Sequence, residues 1–152
     1  MMYVAFYKGR TRAFDRAVQW WESGPYSHCE LVLADTGNGA HLCASSSMMD
    51  GGVRVKEIAL APERWDLLPV PWANADKALD WLDLHDGCGY DYLGLAGFVW
   101  RPYHGEAARY WCSEAVAAML GLDDPWRYGV NGLAGALLLT TQHATAPPAP
   151  MK

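Results

Sequence analysis

The sequence predicts an α+β domain in which a small antiparallel sheet packs against helices, and three observations carry that expectation. Residues 26–34 and 40–44 are apolar runs joined by Asp35-Thr36-Gly37-Asn38-Gly39, the turn chemistry of a hairpin. Residues 53–58 and 65–70 add two more segments of strand character. From Asn74 onward the apolar period lengthens to that of a helix, and a second helical pattern begins at Cys112.

Tyr3 to Tyr7 is rich in β-branched and aromatic residues and reads as a first strand, ended by Lys8-Gly9-Arg10. In Thr11 to Glu22 the apolar Phe14, Ala17, Val18 and Trp21 fall on one helical face, and Ser23-Gly24-Pro25 stops the run. That amphipathic helix is expected to be scaffold. In the next strand His28, Glu30 and Val32 share one face, with Cys29, Leu31 and Leu33 on the other. If the turn centres near Thr36 and Gly37, Cys43 lies opposite Glu30, with His41 one step along the same face. Ser45-Ser46-Ser47 reads as loop, and Val53 to Ile58 as a strand with its charges outward.

Asn74 is a suitable N-cap for a helix carrying Ala75, Ala78, Leu79, Trp81 and Leu82, and Asp86-Gly87 ends it. Cys88 to Phe98 packs three glycines among aromatics, a sign of close backbone approach, and Arg101 to Gly105 reads as a loop. Asn131 is read as capping a short helix through Leu139. Residues 1–144 are expected to form one domain, and 145–152, with Pro147-Pro148 and Pro150, a disordered tail.

A chain of 152 residues with 51% hydrophobic and 19% charged content is long and apolar enough to bury a core. A net charge of −5 without a basic cluster argues against nucleic acid as partner. The longest apolar run, Gly132 to Leu139, is far short of a membrane span, and the first basic residue follows the apolar start instead of preceding it. The expected location is therefore the cytoplasm, with carriage by a phage as the other route. Four widely spaced cysteines without Cys-x-x-Cys give no zinc or redox motif, so no cofactor is expected and metal binding by His28, His41, Cys43 and Cys112 has little support.

Two features point to chemistry. Cys112, followed by Ser113, Glu114, Ala115 and Val116, stands where the partial positive charge of a helix N-terminus favours thiolate. Read alone, Cys112 is more often a small core residue, and Glu114 a first-turn carboxylate that suits the helix dipole. His28 and Glu30 are polar residues on an otherwise apolar strand, where either left unpaired would cost several kcal/mol.

Tyr26-Ser27-His28-x-Glu30-Leu31-Val32, then Ala44-Ser45-Ser46 before Asp50-Gly51-Gly52-Val53-Arg54, then Trp111-Cys112-Ser113-Glu114-Ala115-Val116, resemble in their joint order a circularly permuted papain-like fold. This is the group of NlpC-type and YiiX-like cysteine hydrolases related to lecithin retinol acyltransferase, in whose permuted branch the histidine precedes the cysteine. The resemblance runs from about Met2 to Leu122. It implies Cys112 as nucleophile and His28 as its base and acid, acting on an amide of a peptide, such as a cell-wall peptidoglycan fragment. It also implies a lipid acyltransferase or thioesterase as the alternative, or an inactive binding module. The third polar group departs from the family pattern, because Cys43 stands where a polar residue is usual. Glu30 is the first candidate to orient His28 and His41 the second, while Tyr26 and Tyr92 are candidates for the cleft wall.

Overall fold

Gly37 and Gly39, at φ +83° and +75°, take the left-handed conformations that let the chain reverse after Asp35, with the Asp35 carboxylate accepting the Gly37 N–H at 2.8 Å. The hairpin they close joins β2 (His28–Asp35) to β3 (Ala40–Ser47). In the computed structural model, which describes residues 1–92 and 108–145, five further strands extend it on both sides. They are β1 (Tyr3–Tyr7), β4 (Gly52–Ala59), β5 (Trp65–Pro69), β6 (Gly89–Tyr90) and β7 (Arg109–Tyr110). The curled sheet runs β5-β1-β2-β3-β4-β6-β7 and is antiparallel except for the β6–β7 pair. Among the described residues four α-helices complete an α+β architecture: α1 (Ala13–Trp21), α2 (Ala75–His85), α3 (Cys112–Met119) and α4 (Val130–Thr145). The sequence expectations for Leu93 to Phe98, the loop at Arg101 to Gly105 and the tail beyond Thr145 fall outside the described residues.

One face of the sheet carries the main core. Val4, Phe6, Cys29, Leu31 and Ala44 pack there against Ala115, Val116 and Met119 of α3 and Leu133 and Leu137 of α4. Each of the large apolar side chains contributes on the order of 1.5–3 kcal/mol through burial. Asn74 caps α2 as its sequence position suggests, its Oδ1 accepting the N–H groups of Asp76 and Lys77. At Gly52 a Cβ would lie 1.9 Å from the Cys88 carbonyl oxygen, so only glycine lets β6 pair with β4 there.

Four expectations are corrected. The turn centres near Asn38, not between Thr36 and Gly37, so that with the one-residue irregularity between Val32 and Ala34 Cys43 falls opposite Val32, not Glu30. Ser45-Ser46-Ser47 is not a loop but the end of β3, because its hydroxyls find buried partners: Ser45 donates to the Cys29 carbonyl at 2.7 Å and Ser46 to that of Tyr110 at 2.5 Å. Asn131 lies inside the first turn of α4, which runs on to Thr145; the Glu22 carboxylate accepts the N–H groups of Val130 and Asn131, while the Asn131 amide bonds the Tyr26 backbone in both directions. In α1 the buried residues are the polar Asp15 and Gln19, whereas Ala17, Trp20 and Trp21 are exposed. Gln19 turns inward because it ties down the loops on either side, donating to the Gly9 and Pro25 carbonyls and accepting from Arg10.

Candidate functional site

The N-terminus of α3 rests on the start of β2, and this contact makes the site. Trp111 is the N-cap and Cys112 the first helical residue, so the Cys112 N–H has no partner within its helix. Ser113 fixes the turn by donating to the Tyr128 carbonyl at 2.7 Å, and Ser46 anchors the segment ahead of it through Tyr110. The Cys112 thiol is thereby brought beside the His28 imidazole and the Cys29 thiol, and each acts on its protonation.

These neighbours set the protonation states. The Cys29 thiol donating to the sulfur draws the Cys112 pKa down; burial opposes this, and the His28 cation adds to it, leaving the thiol well below its ordinary value. For His28, burial alone would lower the pKa, but the Cys112 thiolate and the Glu30 carboxylate together raise it. Both shifts are in the direction that favours a thiolate–imidazolium pair. Glu30 is 1% exposed and accepts from His28 Nε2 at 2.7 Å, which leaves Nδ1 as the nitrogen free to serve the sulfur.

A buried carboxylate needs more than one partner, and Arg54 supplies the rest. Its guanidinium reaches Glu30 in a two-pronged fork, NH1 to Oε2 at 2.7 Å and NH2 to Oε1 at 2.5 Å. Burial works against Glu30 ionisation, yet the bonds from Arg54 and His28 hold its pKa below the usual value. Asp50 grips Arg54 from the outer side at 2.9 Å and also pairs with Lys56. Arg54 therefore points inward, contrary to the expectation that the β4 charges face solvent. The signal that could have found it was Glu30 itself, a buried acid in need of a cation.

His41 is not brought to this site. It pairs with Asp35 at the far end of the hairpin, seven residues along β2 from His28, a separation of about 20 Å at strand rise. Its buried Nδ1 has no hydrogen-bond partner among the described residues. Tyr26 donates its hydroxyl to Asp66 at 2.9 Å and packs at a tilt against Phe6, while Tyr92 is 52% exposed; neither borders the two clefts at Cys112. Tyr90, which sequence reasoning passed over, lines both clefts described next. The Glu114 carboxylate accepts the Trp111 N–H at 3.4 Å, the role of a first-turn acid at a helix start.

Cys112 lies where two clefts meet. One, about 280 Å³, contains His28 together with Tyr7, Trp65, Arg12, Asp15 and Met48. The other, about 270 Å³, runs along α1 past Phe14, Val18 and Trp21 to Trp111 and Val130. Ser27, Tyr90, Phe14 and Cys112 border both. Among the described residues no group of acidic, histidine and cysteine side chains is placed to hold a metal ion, and no helix is long and apolar enough to cross a membrane. Compared with family models, curated proteins and solved structures, the chain gives no match.

Proposed function

We propose that this protein is a cysteine-dependent hydrolase of the permuted papain-like, NlpC-type group, cleaving an amide through Cys112 and His28. The observation that carries the reading is the thiol at the first turn of α3 held against an imidazole whose other nitrogen is fixed by Glu30. A core cysteine does not require a histidine, and a merely satisfied histidine does not require a thiolate.

In this mechanism the Cys112 thiolate attacks the carbonyl carbon, and the carbonyl π electrons move to oxygen. The oxyanion develops near the first-turn N–H groups of α3, which have no acceptor within their own helix, and loss of one such donor typically costs about 3 kcal/mol. His28 then passes its Nδ1 proton to the leaving nitrogen as the C–N bond breaks, leaving a thioester on Cys112. Neutral His28 takes a proton from water, the hydroxide attacks the thioester, and the thiolate departs to restore the ion pair. Glu30 orients the imidazole throughout and stabilises its cation, and Arg54 keeps Glu30 ionised.

A peptide, such as one of cell-wall type, is the substrate class this reading favours. A second reading, acyl transfer or thioester hydrolysis at the same centre, is supported by the apolar lining of the cleft along α1. Incubation with an activated ester followed by intact-mass measurement and peptide mapping tests the common step. A stoichiometric acyl adduct on Cys112 that is absent from Cys112→Ala is expected; label spread over Cys88 and other thiols would overturn the proposal.

A further inference from the structure

The amphipathic helix α1 turns its polar residues inward. Asp15 and Gln19 are buried, and the stripe of Phe14, Ala17, Val18 and Trp21 is left facing the cleft that ends at Cys112. Trp21 is 49% exposed and Trp20, beside it, 78%. An apolar stripe that could have been buried against the sheet is instead spent on a cleft wall, and an apolar cleft wall suits an apolar ligand.

The two clefts are distinguished by His28. The imidazole must hand its proton to the leaving group, so the leaving group lies on the side that contains His28, with Tyr7, Trp65, Arg12 and Asp15. The opposite cleft lacks His28 and reaches the sulfur from the α1 side. It therefore receives the part of the substrate that stays on sulfur in the thioester. We propose that the α1 cleft is the acyl subsite and that it selects an extended apolar acyl group, such as a medium-chain alkanoyl. The inference rests on Cys112 as nucleophile and favours the second reading, acyl transfer or thioester hydrolysis, over a peptide.

The occupant is argued from continuity, since apolar residues make up most of the wall between Trp21 and the reacting sulfur, with Glu22, Ser27 and Ser113 its polar members. A second copy of the chain laid on the same stripe is the competing occupant. The test measures kcat/KM of the full chain for p-nitrophenyl acetate, butyrate and octanoate, in the parent and in Ala17→Glu and Val18→Glu. Ala17 is exposed, so its variant is expected to fold, and circular dichroism checks both.

The parent is expected to favour octanoate over acetate by about a hundredfold, the scale of several buried methylenes. Either variant should erase most of that preference, with a far smaller effect on acetate. A Cys112-dependent turnover with a flat chain-length profile would overturn the acyl subsite and leave the nucleophile standing. Turnover that survives Cys112→Ala would overturn both. A preference unaffected by either glutamate, accompanied by a concentration-dependent dimer that Ala17→Glu dissociates, would assign the stripe to a second copy and overturn the proposal.

Discussion

Arg54 holds Glu30 by both prongs of its guanidinium, across two strand neighbours and 24 positions of sequence, in a part of the sheet where the carboxylate is almost wholly buried. Removing the cation would leave Glu30 charged and dry, or force it to take up a proton. Arg54→Met is expected to destabilise the fold by roughly 3–5 kcal/mol in urea unfolding. Arg54→Lys should lose part of that, because an ammonium cannot make the fork.

Glu30→Gln tests orientation apart from charge. The amide preserves the shape of the side chain but removes the anion that stabilises the imidazolium. The expected result is a drop in kcat/KM on the order of a hundredfold or more, by analogy with other acid-supported histidines. His28 should also titrate lower, which NMR of the imidazole protons would read. An unchanged histidine titration would remove Glu30 from the account.

Cys29, on the face of β2 that packs against α3, shifts the reactivity of Cys112. Its thiol lies beside the Cys112 sulfur and favours the thiolate. Replacing it by alanine takes that donor away, so the pH midpoint of Cys112 alkylation should move upward while the chain stays folded. The sign follows from the depressed thiol pKa: thiolate is present above it and is lost as pH falls through it.

Burial raises the Glu114 carboxyl from about 4.5 to about 7; the Trp111 N–H works against the rise, and the charge of Asp91 adds to it. A group whose folded pKa lies above its unfolded one binds more protons when native. Stability should therefore fall as pH rises between about 4.5 and 7, by at most about 3 kcal/mol from this residue. Glu114→Gln should flatten that part of the profile in chemical denaturation across pH.

His41→Leu is expected to leave catalysis unchanged and to cost little stability, since its buried Nδ1 has no partner to lose among the described residues. A large fall in kcat with folding intact would return His41 to the site.

Local signals in the sequence carried much of the fold. The hairpin was legible in Asp35 to Gly39, α2 in its Asn74 cap, and the pairing of His28 with Glu30 in the two-residue period of a strand. The rest depended on nonlocal facts. His41 and Cys43 could be placed only with the register, and a turn centred near Asn38, later than its sequence suggests, moved both. Arg54 looked like one of several outward charges because alternation cannot say which charge meets a buried acid across the sheet. The apolar stripe of α1 obeys helical spacing perfectly well, but spacing alone does not say whether such a stripe meets the core or a cleft. Tyr90 and Tyr92 are equivalent in type, and only the two-residue β6 turns Tyr90 toward Cys112.

The most direct measurement is the pH dependence of iodoacetamide alkylation at Cys112, followed by peptide mapping, in the parent and in His28→Ala. Cys88 serves as the internal reference, because it is the least buried of the four thiols. A midpoint well below the ordinary thiol value near 8.5, moving upward when the imidazole is removed, is the expected result. A midpoint near 8.5 in both proteins, with Cys88 reacting as fast as Cys112, would contradict the thiolate–imidazolium pair on which the proposed chemistry depends.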